Sequence, residues 1–248
     1  MSVTLVFHRD LSYLLKNHNE SNKQSTVRTL DRIASVKDLI ESQGVPHTEV
    51  GSIISNGTDK SFDYIPVDGE VIHVYPLTPP VDVEKSTLLR ENPVKEISFI
   101  VDVNVGRLAK LLRLLGFDTL YNPDWSDKEL AGIAVRHNKI LLTKDRELLM
   151  RKTVTWGKLI RSISPWEQLF EVILFYGLKD QIKLFSRCTS CNSLLVPVTK
   201  EKIVDQLEPL TRIMYNEFTQ CPKCGKVFWR GSHHQHILKK LQNIMTTK

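Results

Sequence analysis

The chain has 248 residues, 41% hydrophobic and 25% charged, with a formal net charge of +6, which is ordinary globular composition with room for more than one core. No apolar stretch approaches the ~18–20 residues of a membrane span, and the N-terminus lacks a basic region followed by an apolar core and a cleavage site. A cytoplasmic protein without membrane association is therefore expected. The charge is uneven: residues 1–90 carry 9 Lys and Arg against 12 Asp and Glu, leaving 25 against 16 for residues 91–248. That basic part is where a polyanion such as RNA would bind, because phosphate contacts dominate nucleic-acid affinity; plain solvation of the surface is the alternative.

Residues 1–77 read as a small mixed domain. Val3, Leu5 and Phe7 alternate as a strand, Thr26 to Leu30 suggests its hairpin partner, and Ser35 caps a helix that runs through Leu39 and Ile40 and ends near Gly44. Asn56-Gly57 marks a tight turn, and Val71 to Tyr75 forms a closing strand. This order resembles a ubiquitin-like β-grasp domain related to small sulfur carriers. Those carriers act through a free C-terminal Gly-Gly, whereas here Leu77-Thr78-Pro79-Pro80 runs on into more chain. Carrier chemistry is not expected; contact with a protein partner is.

Residues 78–93, with Pro79, Pro80 and Pro93, suit an interdomain linker. From 94 to 183 strand and helix patterns alternate. Ser98 to Asp102 is a buried strand, and Leu108, Leu111, Leu112 and Leu115 make the apolar stripe of a helix stopped by Gly116. Asp118 to Tyr121 is a second strand. Asp127 opens a helix, Ile140 to Thr143 is a third strand, and Ser164-Pro165 starts a last helix. The alternation predicts an α/β fold with a mainly parallel sheet between helices. Asp102 ends one apolar run, Asp145 follows another and Asp127 begins a helix. Carboxylates at such positions point into the crevice where parallel sheets bind ligands, as a hard-cation site requires.

Residues 184–248 hold all 4 cysteines, as Cys188-x-x-Cys191 and Cys221-x-x-Cys224. Two such pairs supply four thiolates for a closed, structural zinc site, with no position open for catalysis. The 29 residues between the pairs exceed the usual ribbon spacing of ~15–20, so an insertion is implied. A redox pair or unligated thiols are the alternatives.

The run from Asp102 through Asn104, Gly106-Arg107-Leu108-Ala109-Lys110 and Leu115-Gly116-Phe117-Asp118, followed by Asp127-x-Glu129-Leu130 and Leu142-Thr143-Lys144-Asp145-Arg146, resembles the Mut-seven C-terminal RNase-domain family. That family is a branch of the PIN-like nucleases. The four cysteines followed by Val227-Phe228-Trp229-Arg230-Gly231-Ser232-His233 resemble the zinc ribbon that ends it, and the N-terminal domain resembles the ubiquitin-like domain that precedes it in prokaryotes. The resemblance implies a metal-dependent ribonuclease that leaves 5′-phosphate and 3′-hydroxyl ends. It makes Asp102, Asp127 and Asp145 the catalytic residues and ligands of Mg²⁺ or Mn²⁺. A fourth acidic residue is usual in such sites and is not placed here; Glu129 and Glu147 are candidates. A homodimer is an option that PIN-like domains often take.

Each role has a plainer counterpart. Asp127 and Asp145 could simply cap helices, whereas Asp102, at the end of an apolar strand, is costly unless paired or metal-bound. Asn104 could orient a ligand or a water. Arg107, Lys110 and Arg113 could track a phosphate backbone or merely face solvent, and Arg146 could hold a phosphate. In the ribbon, Arg187, Lys223, Lys226, Arg230, Lys239 and Lys240 lie beside Phe228 and Trp229, and aromatics among basic residues suit stacking on single-stranded bases. Such aromatics can equally cover a zinc site. His233, His234 and His236 could touch phosphate or a second metal. The alternative to a nuclease is a non-catalytic RNA- or ribosome-binding protein that retains the fold; a sulfur-carrier-like adaptor is a third reading.

Overall fold

The structure is a computed structural model that describes residues 2–16, 25–29, 33–231, 235 and 237–242. In chain order the first elements are β1 (Ser2–Phe7), β2 (Ser25–Thr29), α1 (Val36–Ser42), β3 (Val50–Ser55), β4 (Thr58–Asp59) and β5 (Val71–Pro76). Then come β6 (Ser98–Val101), α2 (Gly106–Leu114), β7 (Asp118–Leu120), α3 (Asp127–Arg136), β8 (Ile140–Thr143), α4 (Arg146–Leu149), β9 (Gly157–Leu159) and α5 (Pro165–Phe175). The last are β10 (Val196–Val198), α6 (Pro209–Met214), β11 (Phe218–Gln220) and β12 (Val227–Trp229). They form two compact units, Met1–Val105 with Tyr121–Arg161, and Gly106–Leu120 with Ser162–Lys248.

The first unit begins with a five-stranded sheet in the order β2-β1-β5-β3-β4. Strands β1 and β5 pair in parallel at its centre, and the other pairs are antiparallel. Val3, Leu5 and Phe7 point inward from β1 and are fully buried, as strict alternation requires of a sheet with one covered face. Helix α1 is capped by the Ser35 hydroxyl, which accepts from the Asp38 amide. Asn56 and Gly57 both take positive φ, the conformation that joins two strands through a tight hairpin. This is a ubiquitin-like β-grasp region.

Residues 78–93 are mostly exposed and are anchored at a few points. Val81 and Val83 are buried, and so is Arg90, whose guanidinium donates to the carbonyls of Val50 (2.8 Å), Thr48 (3.0 Å) and His47 (3.1 Å). Beyond this strap, β6, β8 and β9 run parallel, with Val101 beside Leu142 and Thr143 beside Leu159. All residues of β6, β8 and β9 are buried, and the near-continuous apolar sequences of β6 and β8 are those of a covered parallel sheet. Helix α3 packs on β6 and β8, and α4 on β8 and β9.

In the second unit α2 packs against α5, with Leu108, Leu112, Leu115, Leu169, Val172 and Ile173 fully buried. Ser164 and Glu167 form the capping box that starts α5, and Pro165 occupies its first turn. Gly116 leaves α2 with φ +94°. A Cβ there would collide with the Lys183 carbonyl, so the close approach of those two segments requires glycine. The remainder is a three-stranded antiparallel sheet, β10-β11-β12, packed on Ile203 and Leu207 through Phe218. The insertion expected between the cysteine pairs carries β10 and α6. No helix among the described residues is long and apolar enough to cross a membrane.

Candidate functional site

Asp102 continues β6 by one residue, its amide donating to the Leu142 carbonyl at 3.0 Å. The residue is only 5% exposed, so its carboxylate needs donors in place of water. Oδ1 accepts from the Val103 amide at 2.6 Å. Oδ2 accepts from Asn104 Nδ2 and from the Thr143 hydroxyl, each at 2.6 Å. Thr143 ends β8 and is fully buried. Its Oγ also accepts from the Asp145 amide at 2.9 Å and from Asn104 Nδ2 at 3.2 Å. Asn104 Oδ1 in turn accepts from the Lys144 amide. One buried hydroxyl thus ties the ends of two parallel strands together. In the sequence Thr143 reads as an ordinary strand residue, and its position two residues before Asp145 is the one signal that marks it.

Asp145 is the N-cap of α4, where Oδ1 accepts from the amides of Glu147 (2.8 Å) and Leu148 (3.3 Å). Asp127 is not a cap. Ser126 takes that position and forms a capping box with Glu129, whose carboxylate is held below its usual pKa by hydrogen bonds from the Ser126 hydroxyl and amide. Glu129 is therefore a capping residue rather than a spare metal ligand. Asp127 Oδ2 lies 3.6 Å from Arg151 Nη2, with both side chains about half exposed. Glu147 is exposed.

The structure joins Asp102 and Asp145 through Thr143 and leaves Asp127 with Arg151. The three carboxylates do not form one converging ligand group. Among the described residues the only such group of three or more is the four cysteines. Mg²⁺ is commonly held by one or two carboxylates and several waters. The oxygen donors of Asp102 and Asp145, at the C-terminal ends of parallel strands, fit that chemistry.

The cysteines fit zinc. Cys188 Sγ lies 3.6 Å from Cys224 Sγ, Cys191 Sγ lies 3.3 Å from Cys221 Sγ, and all four sulfurs are within 4.8 Å of one another. A tetrahedral Zn–S₄ centre requires sulfurs about 3.8 Å apart. The two knuckles turn alike: Asn192 and Gly225, each following the second cysteine of its pair, have φ of 70° and 73°. The Ser193 amide, with smaller help from the neighbouring thiols, lowers the Cys191 thiol to about 6.

Several of the basic residues expected to contact RNA do something else. Arg113 is buried, and its guanidinium donates to the carbonyls of Thr119 (2.9 Å), Ser190 (2.8 Å) and Thr189 (3.3 Å). Its expected phosphate contact is corrected to a brace between α2 and the first cysteine knuckle. Arg187 also turns inward, to the carbonyls of Gly116 and Asn192. Arg146 is half-buried and donates to the Leu14 carbonyl at 2.7 Å, so a structural tie replaces the phosphate contact read from sequence. Arg107 and Lys110 on α2 are exposed, as are Trp229 and Arg230 on and after β12. Lys226 Nζ lies 6.0 Å from the centre of the Phe228 ring. His233, His234 and His236 lie outside the described residues.

Comparison with known families matches residues 97–241 to the Mut7-C RNAse domain and residues 1–82 to the Mut7-C ubiquitin domain. No curated protein matches the chain. Among solved structures, the crystal structure of SAMP1 from Haloferax volcanii is similar over 32% of this chain and 98% of its own, at 14% identity and a TM-score of 0.25.

Proposed function

The chain belongs to the Mut7-C RNAse domain family, and on that premise we propose that it is a divalent-metal-dependent ribonuclease. The observation that carries this reading is the buried Asp102 carboxylate at a strand end, joined through the Thr143 hydroxyl to Asp145. Three donors fix the Asp102 carboxylate and leave an acceptor position on Oδ1 for a ligand, and the α4 cap fixes Asp145 through Oδ1 and leaves Oδ2 for one. In this reading Asp102 and Asp145 hold Mg²⁺ or Mn²⁺, with Asp127 as an outer member of the set once it leaves Arg151. Such an ion, when bound, supplies an activated water and neutralises charge on the phosphoryl group.

RNA is the proposed substrate. Arg107 and Lys110 contribute phosphate contacts, and Trp229 and Arg230 of a zinc-bound ribbon hold single-stranded bases and backbone. In domain terms we propose a ubiquitin-like part at 1–77, a connecting strap at 78–93, a PIN-like nuclease part at 94–183 and the ribbon from 184 onward. The ubiquitin-like part offers a surface for a protein partner, and the setting is cytoplasmic. The Asp127–Arg151 pair favours a second reading, in which the fold binds RNA without cutting it.

The test is to incubate zinc-loaded protein with end-labelled RNA across a Mn²⁺ and Mg²⁺ titration and to determine the product ends. Metal-dependent products with 5′-phosphate and 3′-hydroxyl ends support hydrolysis. RNA retained intact in a stable complex at every metal concentration supports the second reading.

A further inference from the structure

The strand that borders β8 on its far side is secured by a residue of the ubiquitin-like region. Glu49, which ends a 3₁₀ turn just before β3, is only 4% exposed. Its Oε1 accepts from the Leu159 amide of β9 at 2.9 Å. Its Oε2 lies 3.3 Å from Lys158 Nζ, itself buried, and 3.1 Å from Arg161 Nη2. Arg161 reaches on to Asp10 Oδ2 at 2.7 Å. A strand edge whose amide would otherwise be orphaned is thus closed by a carboxylate from more than a hundred residues earlier in the chain.

Leu159 is the residue in register with Thr143, and the next amide, Ile160, donates to the Thr143 carbonyl at 2.8 Å. A second contact acts on the other side of Asp145: the 2.7 Å hydrogen bond from Arg146 to the Leu14 carbonyl holds the first residue of α4 to the end of the 3₁₀ turn Arg9–Leu14. His47 adds a third, its Nε2 2.6 Å from the Val154 carbonyl just before β9.

We propose that Glu49 and Arg146 are positioning residues for the carboxylate site, so that the ubiquitin-like region is a working part of the nuclease and not only an adaptor for partners. This rests on the ribonuclease reading for its consequence in catalysis and on geometry alone for its consequence in structure. Glu49 fixes β9, β9 fixes the Thr143 backbone, and the Thr143 hydroxyl sets both the Asp102 carboxylate and the Asp145 amide. Arg146 sets the helix that Asp145 caps. A displacement of about 1 Å at a site held this way is enough to cost a large factor in rate.

The experiment compares the zinc-loaded full chain with Glu49→Gln, Glu49→Ala and Arg146→Lys by hydrogen exchange and by cleavage kinetics. Glu49→Gln keeps an acceptor for the Leu159 amide and loses the charge. Expected is exchange about tenfold faster in peptides covering 140–149 and 157–161 of Glu49→Ala, with a smaller change in Glu49→Gln and unchanged exchange in the ribbon strands. In cleavage, kcat falls and the Mn²⁺ requirement rises while KM for RNA stays near wild type. Arg146→Lys gives the same pattern confined to 143–149.

Exchange in 140–149 that stays at the wild-type rate while 157–161 loosens overturns the proposal, because the edge contact then ends at the edge. Uniformly faster exchange across the chain also overturns it, leaving Glu49 merely structural. If the wild type cuts no RNA, the exchange pattern still decides the positioning, and the failure belongs to the ribonuclease reading. Should Glu49→Ala not fold, Glu49→Gln carries the same comparison.

Discussion

The hydroxyl of Thr143 donates to Asp102 Oδ2 at 2.6 Å while accepting from the Asp145 amide at 2.9 Å. Its proton and a lone pair serve the two aspartates that sequence alone places forty-three residues apart. Replacing it by valine keeps the shape and removes both interactions. Thr143→Val is expected to lose about 1–3 kcal/mol of stability in urea unfolding, the usual cost of leaving a buried polar group unpartnered. It should also cleave RNA far more slowly, while Thr143→Ser retains most of both properties.

Zinc is expected at one ion per chain by elemental analysis. Chelation, or Cys188→Ser, should unfold the ribbon strands β10, β11 and β12, because Cys188 and Cys221 are buried and these short strands enclose a small core. Far-ultraviolet dichroism before and after chelation, with zinc added back, reads this directly.

The basic residues of α2 divide by exposure. Arg107→Gln with Lys110→Gln should weaken single-stranded RNA binding and reduce the slope of log K against log salt by about 1.4, since each phosphate contact contributes about 0.7. Arg113→Gln should instead lower stability by about 1–3 kcal/mol, because it strips a hydrogen bond from the buried Thr119 carbonyl and the ties to Ser190 and Thr189, and leave the salt slope unchanged. An equal effect of Arg113→Gln on the slope would contradict its assignment as a brace.

The β-grasp region carries a pH dependence of its own. Burial alone would raise the pKa of Glu70, but hydrogen bonds from the Ser55 hydroxyl, the Val67 amide and the Tyr64 hydroxyl outweigh it and hold the carboxyl below its ordinary value. A depressed pKa in the folded state means a stabilising contribution that is fully present above the unfolded value of about 4.5. It is lost as pH falls through the lower folded value. Wild type should lose stability on acidification in this window more steeply than Glu70→Gln, which lacks the titration.

Much of this architecture is legible in the sequence because it is local. The alternation in β1, the Ser164-Pro165 start of α5 and the apolar runs of β6 and β8 report their own burial, and the paired cysteines report their own site. What escaped depends on partners far away in the chain. Gly157-Lys158-Leu159 does not read as a buried strand, since the distant Glu49 that meets the buried Lys158 is invisible in the local sequence. Arg113 and Arg146 read as surface cations, because nothing in their immediate sequence reveals the carbonyls that they serve. Asp127 shares the family motif with Asp102 and Asp145 but stands at a helix start, and the Thr143 hydroxyl reaches only the latter two.

The most direct test of the account is the cleavage of labelled single-stranded RNA by zinc-loaded protein with Mn²⁺, comparing the wild type with Asp102→Asn. The substitution keeps the shape of the side chain and removes its charge. Metal-dependent cleavage by the wild type is expected, with its loss in Asp102→Asn and RNA affinity unchanged. Cleavage that survives in Asp102→Asn, or a wild type that binds RNA and leaves it intact at every Mn²⁺ concentration, would contradict it.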